Sequence, residues 1–331
     1  MPKEQENKKK SKKCIKCSKA VYCSNLCSQH FADYFEKKAR RTIKKFDLFS
    51  RDDKVAVAVS GGKDSTVCLY VLKKLGYKVE AVTVDALIGN YTKENLENLR
   101  KVCKKYGIKL HEISFREEFG MALCSIKMVA HEKGLKYSSC FICGVLRRYL
   151  LNKYAKKAGF DCICTGHNLD DEAQAFIMNV FRNDLNLAKR QGPITGSSRS
   201  AGSKAFAKRV KPLYLCTEEE TTAYSKLMNF PVNYGECPCR EGAYRKEYAD
   251  MLDEFEKKFP PTKYNIIQFF LRTIYTMKEK GAEKESVVND CAYCGEPCAK
   301  EVCKRCEILI TLKGADTAQK EQIQNEASGS K

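Results

Sequence analysis

The fold is decided by the stretch Lys54-Val-Ala-Val-Ala-Val-Ser60, which runs directly into Gly61-Gly62-Lys63-Asp64-Ser65. The β-branched run predicts a buried strand, and the pattern after it predicts a helix over 64–75. Glycines remove side chains where a backbone must approach an anion, and the N–H groups of a helix N-terminus face that anion. We therefore predict a phosphate-binding loop, with hydroxyl donors from Ser60 and Ser65, positive charge from Lys63, and Asp64 helping to hold Mg²⁺. The spacing differs from that of a Walker A loop.

Short apolar runs alternate with helical patterns on the C-terminal side of this loop. Further strands are predicted at 78–85, 108–114 and 161–166, and helices at 92–106, 116–133, 144–158, 169–182, 217–229, 244–258 and 265–278. This alternation predicts an α/β fold with a parallel sheet and helices on both faces. The functional edge of such a sheet lies at the carboxyl ends of its strands. Residues 186–208, rich in Gly, Ser, Lys and Arg, are predicted to form a long loop.

The composition narrows the class of protein. A chain of 331 residues suggests about two domains. No apolar run approaches the roughly 18 residues that a membrane helix needs, and the charged N-terminus lacks the apolar stretch of a secretory signal. We therefore expect a cytoplasmic protein with no membrane partner. In that setting, 19 cysteines indicate metal or redox chemistry and not a disulfide scaffold.

The net charge of +19 is concentrated in two segments. Residues 1–50 hold 14 Lys and Arg against 5 Asp and Glu, and residues 189–211 hold 7 Lys and Arg with no acid. Taken together, these segments favour a phosphate-backbone partner such as a nucleic acid. A solubilising tail combined with a mobile loop is the alternative, and it is the better interpretation for residues 1–13 alone.

Cysteine pairs at both ends of the chain have the spacing of zinc ligands. The C-terminal set is Cys291, Cys294, Cys303 and Cys306, and the N-terminal set is Cys14, Cys17, Cys27 and His30. Two CxxC pairs this close together are a strong signal for tetrahedral zinc, and the N-terminal set would be of the Cys₃His type. Cys298 falls between the C-terminal pairs as a spare thiol, and Cys23 competes for one N-terminal position.

A third group of cysteines lies within the α/β region. Cys140 and Cys143 precede the helix predicted at 144–158, and Cys237-Pro238-Cys239 follows about a hundred residues later. If the fold brings them together, three thiolates beside a nucleotide site would form an iron–sulfur or sulfur-transfer centre. A redox disulfide between Cys140 and Cys143 competes on nearly equal terms.

A second polar motif, Thr165-Gly166-His167-Asn168-Leu169-Asp170-Asp171-Glu172, follows the strand predicted at 161–166. Its position at a strand end makes Asp171 the better candidate for a catalytic or Mg²⁺-linked carboxylate, with Asp170 next. The acids could instead be helix N-terminal charges favoured by the helix dipole. His167 could be structural.

Taken together, these motifs resemble the tRNA 2-thiouridine synthetase family, the TtuA-like and cytoplasmic wobble-uridine thiolase group of PP-loop ATP pyrophosphatases. The resemblance implies a PP-loop domain of the adenine nucleotide α-hydrolase type with a zinc finger at each end. It implies that ATP adenylates O2 of a tRNA uridine, forming pyrophosphate, before sulfur displaces AMP. It also implies a 4Fe–4S cluster on Cys140, Cys143 and Cys237, with Cys239 a departure from the family pattern. Arg147 stands where the family often has lysine, and Gly166 belongs to the ATP site.

The implied organisation has five parts: a basic tail at 1–13, a zinc finger with its linker helix at 14–46, the catalytic domain at 47–285, a zinc ribbon at 286–313, and a flexible tail at 314–331. Two other functions stay open. One is an iron-free sulfurtransferase working through a persulfide and disulfide at Cys140 and Cys143, and the other is a non-catalytic zinc-finger RNA-binding protein. The modified uridine (T-loop or wobble), the sulfur donor (free sulfide or a ubiquitin-like carrier) and a homodimer are also left open.

Overall fold

The computed structural model describes residues 13–196, 207–235, 237–240, 244–279, 289–295, 297–298 and 300–313. Three predicted features therefore lie wholly or largely outside the described residues: the basic tail, the middle of the loop predicted at 186–208, and the C-terminal tail. The strands are β1 Val55–Ala58, β2 Val79–Asp85, β3 Leu110–Ser114, β4 Cys162–Thr165, β5 Ile194–Thr195, β6 Lys208–Val210, β7 Asn289–Asp290 and β8 Pro297–Cys298.

Helices connect these strands and extend the chain at both ends. They are α1 Ser28–Lys45, α2 Lys63–Lys74, α3 Gly89–Tyr106, α4 Phe115–Phe119, α5 Leu123–Glu132, α6 Ser139–Lys157, α7 Leu169–Phe181, α8 Leu185–Lys189, α9 Glu218–Leu227, α10 Tyr244–Lys258, α11 Thr262–Phe270, α12 Thr276–Glu279 and α13 Lys304–Lys313. A 3₁₀ turn covers Pro238–Arg240, and a π-helical segment, Leu271–Tyr275, joins α11 to α12. No helix within the described ranges is long and apolar enough to cross a membrane.

The main sheet has the strand order β3-β2-β1-β4-β6-β5. Neighbouring strands are parallel, except that β5 runs antiparallel to β6. The predicted α/β fold with a parallel sheet is confirmed. Ala58 at the end of β1 pairs with Val82 of β2 and Thr165 of β4. The chain continues from β1 to β2 on one side of β1, whereas β4 pairs with β1 on the other side. The carboxyl ends of β1 and β4 therefore flank a switch point of the topology.

Two apolar layers cover the sheet, as alternation along β1 requires. Val55 and Val57 belong to the layer that contains α1, α2 and α9, whereas Ala56 belongs to the layer of α5, α6 and α13. Helix α1 corresponds to the linker helix predicted within 14–46, and its Phe31, Phe35, Ala39 and Ile43 are buried. Phe35 stacks on Tyr224 of α9 with ring centroids 4.5 Å apart. The N-terminal segment is therefore packed against the α/β region.

Three local predictions were wrong. The helix predicted at 116–133 is divided, because Gly120 ends α4 with a φ of +71° and α5 begins only at Leu123. The loop predicted at 186–208 contains α8 and β5 and ends in β6, whose pairing with β4 stabilises a three-residue strand. Cys140 and Cys143 lie inside the first turn of α6 and not before it, since the Ser138 hydroxyl accepts the Phe141 N–H and starts the helix early.

Candidate active site and metal centres

The loop after β1 has little room for any residue other than glycine at its first turn. Gly61 has a φ of +81°, and a Cβ there would lie 2.6 Å from the carbonyl oxygen of Asn95. The two serines tie the loop together: the Ser60 N–H donates to Ser65 Oγ at 3.2 Å, and Ser65 Oγ donates to the Gly62 carbonyl at 3.1 Å. Gly62 is the N-cap of α2, so free N–H groups of the first helical turn face the loop.

Lys63 and Asp64 begin α2 with their charges in contact. Lys63 Nζ lies 3.0 and 2.9 Å from the two Asp64 carboxylate oxygens and 2.5 Å from Glu218 Oε1 of α9. Burial, followed by the Glu218 charge, raises the pKa of Asp64 to about 6 despite the nearby ammonium. Burial would lower the pKa of Lys63, but the two carboxylates outweigh it and raise that pKa. A site with this excess of acid fits a divalent cation held by carboxylate oxygens.

The motif after β4 lies against the start of α2. A Cβ on Gly166 would lie 2.6 Å from the backbone nitrogen of Ser65, so glycine allows the two motifs to approach closely. Asn168 caps α7 in a reciprocal capping box with Asp171, and its Nδ2 donates to Glu218 Oε2 at 2.5 Å. The Asp171 charge also contributes to the raised pKa of Asp64, which indicates that the two predicted carboxylates are close.

Cations from the C-terminal helices hold the acids of this second motif. Arg245 of α10 donates to Asp171 Oδ1 at 2.8 Å. The buried ammonium of Lys263 on α11 donates to Asp170 Oδ1 at 2.5 Å, while Asp170 Oδ2 accepts the Glu218 N–H at 2.8 Å. Asp170 is therefore engaged in structural contacts. His167 is exposed, and its Nδ1 lies 2.9 Å from Thr165 Oγ1.

A small cleft opens on the other side of the loop, between β1 and β2. Its lining residues are Ser60, Thr83, Val84, Asp85, Thr92, Leu96 and Arg147. Within the part of the chain that the structure describes, Arg147 Nε is buried with no hydrogen-bond partner. A buried guanidinium nitrogen without an acceptor fits an anionic ligand, because leaving it unpaired costs free energy.

The central cysteines come from two distant parts of the chain and meet beside α6. Cys140 and Cys143 are three residues apart in one helical turn, so both face the same side. Cys140 Sγ donates to the backbone carbonyl of Cys239 at 3.4 Å, and Cys143, Cys237 and Cys239 pack on one apolar layer. Burial and the neighbouring thiols Cys237, Cys124 and Cys140 raise the pKa of Cys239 to about 11.

The central thiols are not among the compact metal-ligand sets of the described residues, in which all ligand atoms lie within 4.8 Å of one another. Cys124, an exposed residue of α5, is a fifth thiol that the sequence did not assign to this region.

The N-terminal quartet is compact. The ligand atoms of Cys14, Cys17, Cys27 and His30 all lie within 4.8 Å of one another. Cys17 Sγ and Cys27 Sγ are 3.7 Å apart, close to the separation of about 3.8 Å that tetrahedral Zn–S bonds of about 2.3 Å impose. Cys23 lies outside this set, with its thiol 3.6 Å from Ser24 Oγ.

The C-terminal quartet has the same geometry. The sulfurs of Cys291, Cys294, Cys303 and Cys306 lie within 4.8 Å of one another, and Cys294 and Cys303 are 3.7 Å apart. Backbone N–H groups of Cys303 and Cys306 point at Cys291 Sγ and Cys303 Sγ, an arrangement that favours thiolates. Cys298 is outside the set, and its thiol donates to the Lys300 carbonyl at 2.7 Å.

Comparison with known proteins assigns the chain to a family. Residues 32–232 match the model of the PP-loop domain. The chain is 36% identical over 301 residues to the tRNA-5-methyluridine(54) 2-sulfurtransferase of Pyrococcus horikoshii, with coverage of 89% of this chain and 93% of that protein. This protein belongs to the tRNA 2-thiouridine synthetase family of PP-loop enzymes. The membership predicted from its motifs is confirmed.

Other members of the PP-loop thiolase family extend the comparison. Cytoplasmic tRNA 2-thiolation protein 1 of Danio rerio is 33% identical, with coverage of 87% of this chain and 82% of that protein. The solved U34-tRNA thiolase NcsA from Methanococcus maripaludis, described with its [4Fe–4S] cluster, superposes with a TM-score of 0.75 at 29% identity. That match covers 90% of this chain and 95% of NcsA. The family thus includes proteins named for tRNA position 54 and for position 34.

Proposed function

We propose that this protein is a tRNA uridine 2-sulfurtransferase that adenylates the uridine O2 with ATP and then replaces that oxygen with sulfur. The observation that carries the proposal is the convergence of Lys63, Asp64 and Asp171 at the β1–β4 edge, with Cys140, Cys143 and Arg147 on α6 beside it. A nucleotide site next to a thiolate cluster supports activation and sulfur delivery in one enzyme.

The loop after β1 is proposed to bind the ATP phosphates. Gly61 and Gly62 leave the backbone open, the N-terminus of α2 supplies N–H groups, and Ser60, Ser65 and Lys63 supply side-chain donors. Mg²⁺ held by Asp64 and Asp171 would neutralise the charge that develops on the departing pyrophosphate. Arg147 is the donor for a phosphate or ribose oxygen in the cleft, because its Nε has no acceptor among the described residues. Since guanidinium stays protonated, Arg147 can orient an anion but cannot act as a base.

The central thiols are proposed to bind the 4Fe–4S cluster through Cys140, Cys143 and Cys237. When bound there, such a cluster would supply a sulfur nucleophile at neutral pH. Adenylation makes the uridine O2 a good leaving group, so AMP departs when sulfur reaches C2. The iron-free persulfide route through Cys140 and Cys143 is the second candidate, supported by their placement on one helical turn.

The exposed cations of α1 are proposed to contact the tRNA backbone. These are Lys37, Arg40, Arg41, Lys44 and Lys45, opposite the buried face of the helix. Phosphate contacts of this kind position a nucleic acid without reading its sequence. We further propose the five-part organisation given by the sequence, a cytoplasmic location, and either free sulfide or a ubiquitin-like carrier as the sulfur donor. The homodimer stays a prediction.

Both terminal quartets are proposed to bind zinc. Cys291→Ala should lose about one zinc equivalent and destabilise the C-terminal finger, because zinc binding contributes directly to folding. Cys298→Ala is the matched control, since this thiol lies in the same finger but outside the quartet. Metal analysis together with thermal unfolding measures both effects. Retention of two zinc equivalents by Cys291→Ala would exclude this ligand assignment.

The function is tested by mass spectrometry of tRNA nucleosides from a strain that lacks the gene. We expect one 2-thiolated uridine to disappear and to return with the wild-type protein but not with Asp64→Asn. Mapping the affected nucleoside distinguishes the T-loop from the wobble position. An unchanged content of thiolated uridine in the deletion strain would reject the proposed activity.

A further inference from the structure

The ammonium of Lys63 has no donor left for a phosphate. Three carboxylate oxygens lie within 3.0 Å of Nζ: both oxygens of Asp64 and Oε1 of Glu218. An ammonium carries three N–H donors, so each one already has an acceptor. Lys63 is also largely shielded from water, with its side chain 16% exposed. A phosphate can therefore reach this lysine only if one carboxylate withdraws.

Glu218 is the carboxylate that is free to withdraw. Asp64 is the next residue on the same helix, and its partly buried carboxylate is proposed to hold Mg²⁺. Glu218 belongs to α9, and its side chain is 46% exposed, so rotation toward solvent restores its hydration. The helix start does not depend on this side chain, because the capping box of α9 is formed by Thr217 and Glu220.

The contact of Glu218 with Asn168 links this withdrawal to the second motif. Oε2 of Glu218 accepts from Asn168 Nδ2, and Asn168 also caps α7 opposite Asp171. One carboxylate thus bridges the lysine of the first motif and the asparagine of the second. Without nucleotide, this bridge holds both motifs in place and compensates the charge of a largely shielded lysine.

We propose that Glu218 is a positioning residue. In the absence of nucleotide its carboxylate accepts the Lys63 N–H donor that would bind a phosphate, and it releases that donor when ATP binds. This inference rests on the proposed function, since it takes a nucleoside triphosphate as the ligand. Binding exchanges one charge-assisted hydrogen bond for another, and displacement of Glu218 lowers the apparent affinity for ATP. The Glu218 carboxylate thereby keeps Lys63 aligned but weakens the binding of ATP.

The experiment is calorimetric titration of the full-length protein with ATP in the absence of Mg²⁺. Glu218→Gln keeps the shape of the side chain but weakens its hold on Lys63, because a neutral acceptor bonds an ammonium less strongly. We expect the dissociation constant to fall about tenfold, the equivalent of one charge-assisted bond. Glu219→Gln is the matched control; it removes the same charge from the adjacent, exposed position and should change the constant less than twofold.

A second variant separates direct contact from general repulsion. Glu218→Asp keeps the charge but shortens the side chain, so it should also tighten ATP binding if the contact with Lys63 is the cause. A gain in Glu218→Gln with no gain in Glu218→Asp would overturn the proposal in favour of charge repulsion. Unchanged or weaker binding by Glu218→Gln would overturn it as well. If the wild-type protein binds ATP neither without nor with Mg²⁺, the proposed function fails, and that result is distinct from either of these.

Discussion

Asp64→Asn and Asp171→Asn should each reduce the tRNA-dependent release of AMP and pyrophosphate by at least about 100-fold. Removing a group that only orients a metal ligand lowers metal affinity or activity about 10- to 100-fold. Removing a carboxylate that itself binds the metal should therefore lower activity further. Asparagine is the sharper substitution at position 171, because its amide oxygen can still accept the Asn168 N–H that completes the cap of α7. Both variants are therefore expected to fold.

The measurement is chromatography of the nucleotide products with and without tRNA. Asp161→Asn is a matched control: this carboxylate accepts the Lys54 N–H at the opposite edge of β1 and β4, away from the loop. Its turnover should stay close to that of the wild-type protein. Release of ADP and phosphate by the wild-type protein, in place of AMP and pyrophosphate, would contradict cleavage between the α and β phosphates.

Cys140→Ala, Cys143→Ala and Cys237→Ala should each lose the iron–sulfur cluster and uridine thiolation, whereas Cys239→Ala should retain both. The reason is that a sulfur-transferring cluster needs one iron without a protein ligand, so a fourth thiolate would close the reactive position. Cys237 immediately precedes the 3₁₀ turn that contains Cys239, so the two residues provide a closely matched pair of substitutions. Iron and sulfide analysis after anaerobic reconstitution, together with the visible absorption spectrum, measures cluster content independently of activity.

Two outcomes would change this assignment. Loss of iron from Cys239→Ala, with Cys237→Ala intact, would make Cys239 the third ligand. Full thiolation by iron-free protein would favour the persulfide route through Cys140 and Cys143. Cys124→Ala serves as a further control, since this exposed thiol is close to Cys239 but lies on a separate helix.

The features that local sequence determines could be predicted. The parallel sheet followed from apolar runs separated by helical patterns, and the loop after β1 followed from two adjacent glycines, of which Gly61 has a positive φ and no room for a side chain. The terminal quartets followed from cysteine spacing, because a zinc site of this kind is built from residues close in the chain. In each case the signal and the structure involve the same few residues.

The remaining features depend on tertiary packing, which leaves no local pattern. Three different helices bring charged side chains to the site: Glu218, Arg245 and Lys263. In the sequence, each of them is indistinguishable from an ordinary charged residue on a helix surface. Strand β6 was not predicted, because three residues are too few to show a periodicity. The strand exists because these residues pair with β4. The approach of the 237–240 turn to α6 likewise required the folded chain.

The most direct test of sulfur transfer is anaerobic incubation of the cluster-loaded protein with ATP, Mg²⁺, sulfide and unmodified tRNA transcript, followed by mass spectrometry of the digested nucleosides. We predict 2-thiouridine at one position of the tRNA, formed in equal amount with AMP and pyrophosphate and absent when ATP is omitted. Thiolated uridine formed without ATP, or AMP released in full with no sulfur in the tRNA, would contradict coupled adenylation and thiolation.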